Sequence, residues 1–328
     1  MLYHVASLFV KQKNILFIES KYSNKYQNIP VVRDYCTQKK MDHIDTLRQH
    51  TFFLTGIFKI AKAKLIIIDQ SNYLLSRIKL KKQIKVLQLW HGGGLLKKVG
   101  YDKSQIKDVK EKRRLKRVYQ NISDVIVCDE KLKAAYARMF NVSVEHVHAT
   151  GIPRTDRLYE IANSCQNKRT DIRRTVLVAF SYKEFGKKRQ MADFDIERLK
   201  KELGNNFDVI VREHPTIENN IIIQNNKPLE TDLSNADMLI TDWSSILFEF
   251  AIISRPIIFY DAEKLDQAKM YVDRSKLGDV AHNITELKNM ILTAPEFSAK
   301  SAKIWDEYMS ACDGHATQRV YELIKRLL

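Results

Sequence analysis

Four short stretches bring together residue types that can act on a phosphate ester. In "LWHGGGLLKK", His91 follows Trp90 and precedes Gly92, Gly93 and Gly94, three of only 10 glycines in 328 residues. Lys97 and Lys98 come just after. An imidazole can accept a proton near neutral pH. Glycines admit positive φ and close backbone approach. Two readings fit this stretch. Either His91 is a base beside a phosphate-bearing substrate, or it is a structural histidine preceding a turn. On the first reading Gly93→Val harms turnover more than folding; on the second it harms both equally.

In "VIVREHP", Arg212 and His214 lie two residues apart at a strand exit, and Pro215 biases His214 towards an extended conformation. The pair can serve as an anion site with a proton donor, or as surface residues ahead of a proline. In "LITDWSSILFEFA", Asp242 ends a strand, and Ser244 and Ser245 open an apolar helix. A serine there can cap the helix or help seat a phosphate at its start. Glu249 is the lone charge inside that helix, suited to a ribose hydroxyl or to solvent. In "ATGIPRTDRL", Arg154 can bind phosphate or pair with Asp156 to hold the turn.

These residues need strand ends to carry them. "ILFIE", "KLIIID", "KVLQLW", "DVIVCD" and "HVHATG" read as strands in the first half. Helices are expected over "HIDTLRQHTFFLTGIFKIA" (43–61), the basic segment and "EKLKAAYARMFN". A second series follows: "RTVLVAF", "FDVIVREH", "DMLITD" and "PIIFYD", with helices over "QMADFDIERLKKELG" and "SSILFEFAII" and a mostly helical end. Alternating β and α segments predict an α/β fold of two Rossmann-like, doubly wound parallel-sheet domains facing a cleft. The polar stretch "NSCQNKRTDIRR" sets the expected division at 1–165 and 166–328, the second domain including the terminal helices. Ligands in such folds bind beyond the carboxyl ends of the strands.

Composition narrows the function class. Cys36, Cys128, Cys165 and Cys312 form no CxxC pair and are read as reduced thiols, Cys128 in the core. No metal site is expected at them; no obvious carboxylate cluster appears, and the sequence leaves a divalent-metal requirement open. The amino terminus lacks the pattern of a signal peptide, and no apolar run approaches the roughly 20 residues needed to span a bilayer. The net charge is +16, which favours polyanions. "KSQIKDVKEKRRLKR", Lys103 to Arg117, holds eight basic and two acidic residues. It is expected to be a basic surface helix, either merely solvated or lying on anionic lipid. No Walker loop, GxGxxG, GxSxG or HExxH pattern is present.

The set "LWHGGGLLKKVGY", "TGIPRTDRL", "VIVREHP", "LITDWSSILFEFAIISRPIIFY" and "DGHATQRV" resembles the CDP-glycerol glycerophosphotransferase family of teichoic-acid synthesis, over nearly the whole chain. The resemblance implies a GT-B-like fold. It also implies transfer of glycerol phosphate, or a related polyol phosphate, from CDP-glycerol or CDP-ribitol to a hydroxyl of a lipid-linked glycan or growing polymer. His91 and His214 would be catalytic. The donor would lie near Arg154, Arg212, Asp242, Ser244, Ser245 and Glu249, and the acceptor near Gly92, Gly93, Gly94 and Lys97. The place of action would be the inner face of a bacterial membrane, reached from the cytoplasm through the basic helix 103–117. Two stretches depart from the family pattern: Gly93-Gly94-Leu95, where a proline often follows the histidine, and "AFSYKEFG" in place of a Pro-Thr-Trp-Arg-Asp-like segment. A nucleotide-sugar glycosyltransferase of the same fold is the nearest alternative. A nucleic-acid-binding protein is suggested by charge alone, and no basic-aromatic platform supports it.

Overall fold

The computed structural model describes residues 2–20, 28–48, 51–102, 109–165, 173–181, 194–212, 228–260 and 270–328. The chain forms two units, each with its own core. One comprises Met1–Gly92, Lys98–Asp156 and Ala311–Leu328; the other comprises Gly93–Lys97 and Arg157–Ser310.

The first unit is built on a six-stranded sheet of β1 (Asn14–Glu19), β2 (Ile44–Arg48), β3 (Ala63–Ile68), β4 (Lys85–Gln88), β5 (Asp124–Ile126) and β6 (Val147–His148), in the order β2-β1-β3-β4-β5-β6. Every pairing is parallel. Unbroken apolar runs such as "ILFI" and "LIII" are what a parallel sheet buried on both faces requires. Strand alternation sends Leu16, Ile18, Ile66 and Ile68 into a cluster with Ile57, Ile60 and Ala61 of the helix Phe53–Lys62. Ile15, Phe17, Leu65, Ile67 and Leu87 join a second cluster with Ile29, Val32 and Cys36 of the helix Asn28–Gln38. Val320, Leu323 and Ile324 of the terminal helix Ala316–Leu327 complete that second cluster. Cys128 is fully buried, as its apolar surroundings in the sequence imply.

The second unit holds β7 (Arg174–Ala179), β8 (Phe207–Arg212), β9 (Met238–Thr241), β10 (Ile257–Tyr260) and β11 (Asp279–Ala281), in the order β11-β10-β9-β7-β8. All of these pairings are also parallel. Val176, Val178, Met238, Ile240 and Ile258 meet Leu199 and Leu203 of the helix Ile196–Leu203 and Ile284, Leu287 and Ile291 of the helix Ile284–Thr293. The helix Ile246–Ala251 follows β9 and packs on the helix Ala299–Tyr308, with the rings of Phe248 and Tyr308 5.5 Å apart.

Three features differ from the sequence reading. Residues 43–61 are not one helix: Ile44–Arg48 is edge strand β2, and the helix begins at Phe53. Only Leu47 of that strand is buried, so its apolar alternation is too weak to read. Strand β11 was not expected; it is three residues long at an edge of the second unit's sheet. The division also differs. The chain crosses between units at Asp156/Arg157 rather than 165/166, and Ala311–Leu328 rejoins the first unit. Of the expected basic helix, Val109–Tyr119 is helical, and Lys103, Ile106 and Lys107 lie outside the described residues.

The return of the terminal helix has a polar cause as well as an apolar one. The Asp156 carboxylate accepts from Ala316 N at 2.9 Å and Thr317 N at 2.7 Å, filling two donor positions at the helix start. Arg319 donates to Thr150 O at 2.9 Å, to Ala311 O and to the Asp313 carboxylate. Thus "TGIPRTD" and "DGHATQR" are two halves of one lock, with the Asp156 carboxylate engaged by the start of the terminal helix. Replacing Asp156 by Ala is expected to cost about 1–2 kcal/mol. Amide exchange should accelerate first at Ala316 and Thr317; unchanged protection at those two amides would refute the capping role.

Candidate active site

In the first unit the chain leaves β4 through a tightly held corner. Leu89 N donates to Ile68 O at 2.7 Å, and Trp90 then turns to φ +56°. A bulky residue in the left-handed region is held there only by its surroundings. Trp90 N donates to the Gln88 side-chain oxygen at 2.8 Å. The indole packs edge-on against Phe140 with centroids 5.1 Å apart. His91 is half-buried, its ring centroid 4.2 Å from that of Trp90. Arg154, also half-buried, follows the Gly151 turn, where φ is +80° and a Cβ would collide with the Ala311 carbonyl.

The side chain joining these two corners was missed in the sequence. Asn28, fully buried at the start of the helix Asn28–Gln38, donates from Nδ2 to Trp90 O at 2.8 Å. Its Oδ1 accepts from Arg154 N at 3.1 Å. A lone polar residue opening an amphipathic helix reads as a cap, and only long-range pairing gives it this second meaning.

In the second unit, Gly93–Lys97 lies against the helix Ile246–Ala251 and its neighbours. A Cβ on Gly93 would sit 2.9 Å from Met309 Sδ and 3.2 Å from Phe248 Cβ. Gly94 has φ +57°, and a Cβ there would enter the Phe248 ring. The close approach anticipated for these glycines is therefore to core side chains. Gly93, Gly94 and Lys97, expected on the acceptor side, group with the second unit, and Gly92 with the first. The Lys97 ammonium lies 5.1 Å from the centroid of the Trp243 ring.

Asp242, at the end of β9, is fully buried and accepts from Ser181 N at 2.8 Å and from Ser181 Oγ at 2.6 Å. Burial pushes its carboxyl above the usual carboxylate range, against the Ser181 hydrogen bonds and the charge of Lys97. Ser181 begins the segment after β7 and was not singled out in the sequence. Ser244 and Ser245 are half-buried. The capping expected of them is slight: Ser244 Oγ accepts from Ile246 N at 3.5 Å, Ser245 makes no side-chain cap, and the helix has six residues. Glu249 is buried rather than facing solvent. Arg212 is ion-paired with the buried Asp232 carboxylate. His214 lies outside the described residues.

The CDP-Glycerol:Poly(glycerophosphate) glycerophosphotransferase family matches residues 8–326. The chain belongs to that family. Proteins similar to it include the teichoic acid glycerol-phosphate primase of Bacillus subtilis (strain 168), 27% identical over 96% of this chain and 85% of the primase. The teichoic acid glycerol-phosphate transferase of Staphylococcus aureus (strain NCTC 8325 / PS 47) is 25% identical over 95% of this chain and 93% of that protein. The chain spans 47% of a teichoic acid poly(ribitol-phosphate) polymerase of Bacillus spizizenii (strain ATCC 23059 / NRRL B-14472 / W23), at 26% identity. Among solved structures, the wall teichoic acid polymerase TagF aligns with TM-score 0.75 and 19% identity over 99% of this chain and 92% of that one. A UDP-GlcNAc 2-epimerase from Neisseria meningitidis shares the fold at TM-score 0.60 and 12% identity, over 96% of this chain and all of the epimerase. The GT-B-like architecture and the transferase class expected from the sequence thus stand on the family match and the fold together.

Proposed function

We propose that this glycerophosphotransferase moves a polyol phosphate from CDP-glycerol or CDP-ribitol to a hydroxyl of a lipid-linked glycan or growing teichoic-acid or capsule polymer. His91 takes the proton of the attacking hydroxyl. The acceptor oxygen bonds to the β-phosphorus as the bond to the CMP oxygen breaks, and CMP departs with the electron pair. His214 and the second-unit residues Arg212, Ser244 and Ser245, with Arg154, balance charge on the diphosphate; Glu249 contacts the nucleoside. Positioning and electrostatics account for most of the barrier reduction in such transfers. The carrying observation is the family match across residues 8–326. A thermal-shift screen tests the donor class: CDP-glycerol or CDP-ribitol should raise the melting temperature more than UDP- or GDP-sugars. Stabilisation by nucleotide sugars alone would favour the glycosyltransferase alternative.

The acceptor implies work at a membrane surface. Among the described residues no helix is long and apolar enough to cross a membrane. An interfacial contact is supported instead by two neighbouring elements of the first unit. The helices Leu2–Ala6 and Phe53–Lys62 pack together. Around them Leu8, Phe9, Phe52 and Leu54 are exposed by 75%, 82%, 69% and 52%. Clustered exposed aromatics and leucines mark a docking surface, and Lys62 beside Phe58 sets a cation among them. The helix Val109–Tyr119 adds exposed Lys110, Lys112, Arg113, Lys116 and Arg117, each worth about 1 kcal/mol near anionic lipid. Replacing Phe9 and Phe52 together by Glu is expected to lower flotation with phosphatidylglycerol vesicles by about tenfold or more. CDP-glycerol affinity should not change. Full flotation of the double variant would refute this surface.

A further inference from the structure

We infer that Asn28 is a positioning residue that sets the reactive orientation of His91 and of Arg154 at once; this rests on the role proposed for His91. The argument concerns peptide planes. The Trp90 carbonyl gripped by Asn28 Nδ2 belongs to the same planar peptide group as the N–H of His91. Fixing that carbonyl fixes the plane from which the imidazole projects. The Arg154 N–H held by Asn28 Oδ1 belongs to the peptide group that carries the Arg154 side chain. One buried carboxamide therefore holds the backbone of two candidate site residues, on the loops after β4 and β6.

Chemistry allows few other side chains in this place. The two partners are a carbonyl and an N–H, so the residue must donate on one side and accept on the other. An aspartate would set a carboxylate oxygen against the Trp90 carbonyl. An alanine or leucine would leave that part-buried acceptor and donor unmatched. Trp90 makes the grip consequential. Its φ of +56° is a conformation that relaxes unless both its N–H and its carbonyl are held. Gln88 holds the first and Asn28 the second. Releasing the carbonyl lets the corner open and the imidazole leave its place; most of the donor-side residues lie in the second unit, with Arg154 in the first.

The test is a double-mutant cycle on transfer from CDP-glycerol to a glycerol-phosphate-primed lipid analogue, using Asn28→Ala, His91→Ala and the pair. Asn28→Ala alone should lower kcat by about 30- to 100-fold through His91 and weaken CDP-glycerol binding no more than Arg154→Ala does. In the His91→Ala background the same change should lower kcat little further, because that loss runs through His91, whereas any loss of donor affinity, which runs through Arg154, should persist. Multiplicative losses in the pair, or a normal kcat for folded Asn28→Ala, would overturn the proposal. A fully active His91→Ala would instead overturn the role of His91 itself. If Asn28→Ala does not fold, Asn28→Asp supplies the second arm. Its protonated carboxyl can donate to Trp90 O and accept from Arg154 N. The activity of Asn28→Asp relative to wild type should therefore rise as pH falls, whereas a flat ratio would refute the hydrogen-bonding role.

Discussion

His91→Ala lowers kcat for polyol-phosphate transfer by about 10²–10⁴-fold, the usual worth of general-base help, and leaves CDP-glycerol affinity unchanged. The split between the two quantities is the informative part. His91 lies in the first unit, whereas most of the residues proposed for the diphosphate lie in the second. A group that acts only on the acceptor proton contributes nothing to the ground-state hold on the donor, so its loss appears in kcat. His91→Asn, which keeps a polar planar side chain of similar reach, should be nearly as slow, because an amide cannot take the proton. Steady-state kinetics with calorimetric donor titration on both variants makes the comparison. Normal turnover would remove His91 from the chemistry. An equal fall in donor affinity would make it a donor-binding residue instead.

Gly94→Val should cost stability before it costs chemistry. Its φ of +57° penalises any Cβ, and that Cβ would enter the Phe248 ring. The left-handed penalty is about 1–2 kcal/mol, and overpacking typically adds about 1–3 kcal/mol. The sum, about 2–5 kcal/mol, is a large share of the roughly 5–15 kcal/mol that holds a domain folded. The melting temperature should fall by roughly 4–20 °C, at about 2–4 °C per kcal/mol for a unit of this size. Adding Phe248→Ala makes room for the new side chain but leaves the backbone strained. The double variant should therefore be less unstable than the sum of the two single losses. Strict additivity would mean that the Phe248 contact is not the cause. Preserved stability with lost turnover would return the glycines to the acceptor, as one reading of the sequence had it.

The sequence conveyed the architecture where the physics is local and missed it where it is not. Runs such as "LIII" and "VLVA" mark parallel strands because both faces are buried, and strand ends in α/β folds are where chemistry sits. That logic led to His91, Arg212 and Asp242 before any contact was known. Strand β2 stayed hidden because "IDTLR" buries one residue at a sheet edge. The destination of the terminal helix stayed hidden because its two amide partners on Asp156 lie 160 and 161 residues away. Asn28 and Ser181 were overlooked for the same reason, as each acts on backbone or a carboxylate far along the chain. The glycines were recognised as a close approach, yet no pattern in the sequence reveals that the approaching group is Phe248.

The leaving group tests the central claim most directly. The purified enzyme is supplied with CDP-glycerol carrying ¹⁸O at the oxygen that bridges the glycerol carbon and the β-phosphorus, together with a primed lipid acceptor. Nucleotide and lipid products are then weighed by mass spectrometry. Attack at phosphorus predicts CMP, released one for one with an acceptor that has gained a whole glycerol phosphate and kept the label. Release of CDP, with the acceptor gaining glycerol and no phosphorus, would contradict the account.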